Sequence, residues 1–185
     1  MKRVACATLI FCLGTIMPAS SSAASLEIAG SAGFPLEIPG DDRHNSLGFV
    51  GTVIFGDAGP FVLGAGIGKN SFQNKNNNGS KTFTTLYMDF RIPFVQRSGL
   101  SFFGVIAPEI VARSISFSQE ARASNSLIPS SETDGNIGLA LGTGFSVGLA
   151  GDWLSLVSTQ KLHLILTEVS SSNYFVVSFG IALSD

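Results

Sequence analysis

From Ser25 onward the chain is written in short segments where apolar side chains alternate with small or polar ones, and the connections between segments switch regularly between long and short. Alternation at every second residue gives an extended strand one apolar and one polar face. Eight strands are predicted, over Leu26–Ile38, Leu47–Phe55, Phe61–Gly68, Thr82–Phe94, Leu100–Arg113, Gly135–Leu149, Leu154–Leu166 and Tyr174–Leu183. In the fourth, Leu86, Met88, Phe90, Ile92 and Phe94 share one face, and Thr85, Tyr87, Asp89 and Arg91 the other. The sixth sets Ile137, Leu139, Leu141, Phe145 and Val147 against a row of Gly, Ala, Ser and Asn136. The seventh opposes five leucines, from Leu154 to Leu166, to Thr159, Lys161 and His163. The eighth opposes Phe175, Val177, Phe179, Ile181 and Leu183 to Ser178, Gly180, Ala182 and Ser184.

Three connections, residues 56–60, 95–99 and 150–153, are tight and carry Gly with Asp, Pro or Ser, the residues that accept turn dihedrals. The other four, residues 39–46, 69–81, 114–134 and 167–173, are more polar and mostly longer. An even strand count places both ends of the domain on the side of the tight turns, the order expected of a barrel crossing a membrane as strands. Composition points the same way. Charged residues make up 13% of the chain, about half the usual quarter. Mean hydropathy is +0.37, yet no apolar run beyond the leader approaches the ~18 residues of a spanning helix. Within lipid only helices and closed barrels satisfy every backbone hydrogen bond.

A soluble lipocalin-like barrel, apolar inside and polar outside, also alternates. Its outer surface would here be mostly Gly, Ala, Ser and Thr, a poorly charged exterior for a soluble protein. Phe55, Phe61, Phe94, Phe102 and Trp153 flank the tight turns, as an interfacial girdle requires. The expectation is therefore an all-β, eight-stranded antiparallel up-and-down transmembrane barrel with its polar face enclosed. Pro108 falls inside strand five, where a missing ladder donor predicts a bulge.

Residues 1–24 read as a signal peptide: Lys2 and Arg3, an apolar core from Val4 to Met17, and a small-residue tail ending at Ser22-Ala23-Ala24. That core would span about 21 Å as a helix, short of the ~30 Å of hydrocarbon. Cys6 and Cys12 both lie within it, so residues 25–185, the barrel domain, carry no thiol. Without Lys2 and Arg3, nine basic residues face thirteen acidic ones, with no basic cluster for nucleic acid.

With the leader, the strands and the last segment Phe175-x-Val177-x-Phe179-x-Ile181-x-Leu183 in view, the chain resembles the small outer-membrane β-barrel superfamily, which includes the membrane domain of outer membrane protein A and opacity-type, porin-like proteins. The resemblance covers nearly all of residues 25–185. It implies an outer-membrane location in a Gram-negative bacterium after export through the periplasm, contact with lipopolysaccharide and other lipids, and insertion by the barrel-assembly machinery. Members typically end on an aromatic residue that this machinery reads, where this chain has Asp185. The expected chain is a monomer with no peptidoglycan-binding domain.

The candidate site residues follow from the faces. Asp89, Arg91, Glu109, Arg113, Lys161 and His163 fall on the enclosed side, opposite small residues of strands three and six. An eight-stranded interior is narrow enough for side chains to fill, so an ion-pair network plugging the lumen is expected. Gly64-x-Gly66-x-Gly68 lacks the spacing and the following helix of a dinucleotide fingerprint and reads as more small lumen residues. Lys69, Lys75 and Lys81 carry no acid among them and mark a loop facing lipopolysaccharide phosphates. A host or surface ligand would meet loops 69–81 and 114–134, where contacts sit on a rigid scaffold. Two histidines on separate elements make no metal site, and no cofactor is implied. Acyl-modifying barrel enzymes pair His with Ser or a carboxylate, but Ile165 follows His163 on the same face where a Ser would be needed. The expected function is structural or adhesin-like and non-enzymatic. A narrow channel for small or apolar solutes is the alternative, and a lipopolysaccharide-modifying enzyme stands behind it.

Overall fold

A computed structural model describes residues 24–37, 44–74, 79–119, 123, 130–150, 153–166 and 172–184. Residues 1–23, on which the signal-peptide expectation falls, Lys75, Asn78, most of the long connections and Asp185 lie outside the described residues. Eight strands run β1 (Ser25–Glu37), β2 (Ser46–Ala58), β3 (Phe61–Gln73), β4 (Gly79–Arg97), β5 (Leu100–Phe117), β6 (Ser131–Ala150), β7 (Leu154–Leu166) and β8 (Ser172–Ser184). Each pairs antiparallel with its sequence neighbour, and β8 returns to β1, so the sheet closes as a barrel. Closure leaves no unpaired edge, the condition a strand-built span must meet in hydrocarbon.

β3 to β6 run beyond the predicted ends on the loop side. Alternation of apolar residues stops near Gly68 and Thr82, but the ladder continues through Ser71↔Thr82 and Gln73↔Ser80, and on β5–β6 through Ser116↔Ser131. Backbone pairing needs no apolar face, so hydroxyl-bearing residues extend the hairpins past the greasy belt: Ser71 pairs with Thr82 at 2.9 Å and Ser114 with Thr133 at 3.1 Å. Connections 69–81 and 114–134 accordingly shrink to residues 74–78 and 118–130.

The bulge expected at Pro108 does not form. Pairing of β5 with β6 is unbroken from Leu100↔Val147 to Ser116↔Ser131. On the β4 side the offset is the same at Tyr87↔Glu109 and at Phe90↔Ile106, and only the pairs between them are missing. Pro108 lies exposed on the outer face, and its neighbours hold the register across the lost donor. Glu109 therefore stays inside. Register shifts fall nearer strand ends, at Pro35/Glu37, Ile54/Gly56, Pro93/Val95 and Gly148/Ala150. Two turns close on glycines at positive φ, Gly59 (63°) and Gly99 (73°), where a side chain would be strained.

Large apolar side chains face outward: Leu47, Phe49, Leu86, Ile106, Ile137, Leu141, Phe179 and Ile181 are all exposed. Phe94, Phe102 and Trp153 are exposed around the turn end. The inner face of β3 is Gly64, Gly66, Gly68, Asn70 and Phe72, and that of β6 is Gly138, Ala140, Gly142 and Gly144. With this orientation, Leu86→Arg at mid-belt should cost roughly 2–4 kcal/mol of unfolding free energy in lipid or micelles. Urea titration followed by heat-modifiable gel mobility checks it, and an unchanged midpoint would contradict an outward Leu86.

Candidate functional site: the barrel lumen

Each enclosed charge is placed by strand parity. Arg91, Asp89, Tyr87, Thr85, Phe83 and Lys81 descend the inner face of β4, all buried. Lys161 and His163 do the same on β7, and Glu109 on β5. The six predicted residues separate into three groups, two of them completed by a further acid.

The first lies toward the tight turns and spans the lumen. Arg91 donates through both terminal nitrogens to the Glu27 carboxylate of β1, each at 2.6 Å, and through Nη2 to Asp89 at 3.1 Å. Lys161 donates to the other Asp89 oxygen at 2.6 Å. Two cations and two carboxylates thus cancel, and the fork-to-carboxylate geometry is the strong form of the bond. Aromatic rings line the same layer. The Arg91 guanidinium lies 4.7 Å from the Phe103 ring centre and the Lys161 ammonium 4.2 Å from that of Tyr87. The Tyr87 hydroxyl meets Thr52 Oγ1 at 2.7 Å, and Thr159 meets Ser178 at 2.6 Å. A cavity of about 10 Å³ remains between Glu27, Thr52, Arg91 and Lys161, the room of about one water.

Small residues make this possible. A Cβ at Gly66 would sit 2.5 Å from the Tyr87 hydroxyl, and one at Gly144 would sit 2.5 Å from the Phe103 ring. At Gly138 it would meet Glu109 Oε1 at 2.7 Å. The glycine rows of β3 and β6 are the counterpart of the long side chains on β4, β5 and β7.

The second group sits nearer the loops. His163 Nδ1 and Glu109 Oε2 are 2.9 Å apart, both buried, while Glu109 Oε1 has no hydrogen-bond partner. The imidazole stacks on Tyr174 with centres 4.6 Å apart and planes 1° from parallel. Tyr174 also stacks on Phe83 at 5.0 Å, and Phe72 meets both rings edge-on at 5.5 and 5.8 Å. Val111, Ile165 and Val176 complete this apolar layer. The pair is a carboxylate and an imidazole under an aromatic lid. Acyl transfer would need a hydroxyl within reach of the ring, and the partner here is an acid.

The third group is at the loop-side rim. Arg113 Nε donates to Asp134 Oδ1 at 2.9 Å, its Nη2 pairs with Asp134 Oδ2, and Asn136 donates to the same carboxylate at 3.0 Å. Arg113 is thus separate from the inner network.

Lys69 and Lys81 do not share a loop. Lys69 is exposed on the outer face of β3 opposite Thr84, and Lys75 is outside the described residues. Lys81 is buried on the inner face of β4, 5.9 Å from the Phe83 ring centre, because β4 already runs as strand from Gly79. Glu27 and Asp134, the acids that complete two of the groups, were missed. Glu27 alternates with Leu26 and Ile28, so its inward parity was written in the sequence; that Arg91 is its partner was not, since the two are 64 residues apart.

No family model and no curated protein matches the chain. Solved structures do. The neisserial surface protein NspA superposes with a TM-score of 0.63 at 13% identity, over 89% of this chain and 99% of that one. Ail, the attachment invasion locus protein of Yersinia pestis, in complex with a heparin analogue, gives 0.59 at 12%, over 88% and 98%. The N-terminal barrel of OprF from Pseudomonas aeruginosa gives 0.50 at 9%, over 87% and 97%. These identities carry the architecture, that of small outer-membrane barrels.

Removing Arg91 leaves Glu27 and Asp89 enclosed with one cation too few. Arg91→Ala should lose about 3–5 kcal/mol of stability, the usual cost of breaking a buried pair. Arg91→Ala combined with Glu27→Gln should recover part of it. Equal thermal midpoints for wild type and Arg91→Ala in micelles would exclude the network as a strut.

Proposed function

We propose that a chain with this small outer-membrane barrel fold serves, in the outer membrane of a Gram-negative bacterium, as a closed, non-enzymatic scaffold whose loops do the work at the cell surface. The carrying observation is the filled lumen: a charge-cancelled layer across β1, β4 and β7, and above it an aromatic layer of Phe72, Phe83 and Tyr174. A solute would have to break a bidentate ion pair and displace stacked rings to pass. That argues against the narrow channel. The buried Glu109–His163 pair, away from lipid, supports no acyl chemistry on lipopolysaccharide.

What is left for function is the loop end. Strands β3 to β6 carry their ladders above the apolar belt and form a collar, with a shallow groove of about 350 Å³ bordered by Gln73, Asn74, Gly79, Ser80, Ser116 and Phe117. A polar, largely uncharged groove of this kind suits a hydrogen-bonding surface ligand. Lys69, exposed just below, would meet anionic headgroup phosphates, an attraction that weakens with salt.

Planar bilayers test the reading. The refolded barrel should show no discrete current steps at 100 mV in molar KCl, and well-defined steps would overturn the closed scaffold. Deleting residues 118–130 should reduce adhesion of expressing cells to immobilised matrix at least tenfold without altering heat-modifiable mobility. Unchanged adhesion would remove those loops from the role.

A further inference from the structure

Polar side chains interrupt the outer face near the middle of the apolar belt. Thr143 on β6 and Gln160 on β7 are cross-strand partners on the outward side, and the Thr143 hydroxyl donates to Gln160 Oε1 at 3.3 Å. Along β6 the outward residues are Ile137, Leu139 and Leu141 on the loop side of Thr143, and Phe145, Val147 and Leu149 on the turn side. Along β7, Leu162 and Leu164 lie on one side of Gln160, with Leu156 and Leu154 on the other. Six residues of β6 separate Thr143 from Ile137 and from Leu149, both well exposed, so the pair lies near the middle of the apolar belt. Gln160 Nε2 also reaches Ser158 Oγ, at 3.4 Å. Both contacts are long. A primary amide offers two donors and two acceptor lone pairs, so half its capacity points at acyl chains that can accept none of it.

Beside this pair is a recess. Gly104 of β5 is the partner of Thr143 on the other side, and a Cβ built there would meet nothing within 4 Å. Phe102 and Phe145, tilted with centres 6.1 Å apart, rise next to it. The outward row Gly104–Thr143–Gln160 therefore offers a hollow, a hydroxyl and an amide on one patch.

We propose that this patch is a dimer interface within the membrane and that its occupant is a second copy of this chain. An amide is its own complement: across a two-fold axis each Gln160 donates to and accepts from the other. The open space at Gly104 lets two copies approach with the same surface facing on each, as an isologous contact requires. Hydrocarbon supplies neither the donor nor the acceptor, and the mid-belt height keeps lipid headgroups away. The closed lumen plays no part in the proposal, so the two readings fail separately.

The test uses the barrel without its leader, which has no cysteine, reconstituted in phosphatidylcholine vesicles at one copy per several hundred lipids. Thr143→Cys should form a disulfide-linked dimer on mild oxidation, at least tenfold more than Ile67→Cys, an exposed control on β3. Adding Gln160→Leu to Thr143→Cys should lower that yield about tenfold, while heat-modifiable mobility shows the barrel still folded. Equal cross-linking at positions 143 and 67, or a yield unmoved by Gln160→Leu, would overturn the proposal. Sedimentation equilibrium in density-matched detergent gives a second readout: a concentration-dependent dimer for wild type, lost in Gln160→Leu, supports it, and a monomer throughout for wild type overturns it.

Discussion

The structure depends on a conflict of scale. Backbone groups in hydrocarbon must all be paired, so the sheet has to close. Closing it with eight strands leaves a narrow interior, and the inward residues have to pack within it. Everything notable in the lumen is an answer to that requirement. β3 and β6 contribute glycines, and β4, β5 and β7 contribute Tyr87, Arg91, Phe103, Glu109, Lys161 and His163, whose lengths use the space the glycines leave. Neither set packs without the other.

Filling with charges rather than leucines is costly to desolvate, and the chain offsets the cost by pairing. It also gains specificity. A strand moved by one residue exchanges its faces. If β4 slipped so, Asp89 and Arg91 would face lipid while Leu86 and Ile92 entered the lumen. With an apolar interior such a slip would be nearly silent; with Glu27, Asp89, Arg91 and Lys161 enclosed it is prohibitive. The contacts join strands far apart in sequence, β1 to β4 and β4 to β7, so they form only when the whole barrel is in register.

The lumen also has vertical order. The charge layer lies toward the tight turns, the aromatic layer and the Glu109–His163 pair above it, and Arg113–Asp134 at the rim, where the ladders leave the apolar belt. Polar side chains thus continue from the enclosed middle of the barrel to its loop-side rim. The outward Thr143–Gln160 pair is a polar break in the mid-belt exterior, and a hydrophilic pair in lipid is stable only when its polar atoms are answered.

Strand number, order and the face each residue presents were legible in the residues, because a period of two is local and needs only neighbours to read. The inward parity of Asp89, Arg91, Glu109, Lys161 and His163 followed from it. Strand ends were less legible, since Ser71, Ser80 and Ser114 continue the ladder without any apolar signal. Pro108 misled because a missing donor was weighed without the pairs on either side that keep the register. Lys81 misled because a charge near a polar tip looks like loop until the strand beginning at Gly79 turns it inward. Which acid holds which base was decided by tertiary structure alone. Glu27 reaches Arg91, and His163 meets Glu109, only after closure brings distant strands across a common interior, and no local pattern encodes a distance between residues that the sheet has not yet curved together.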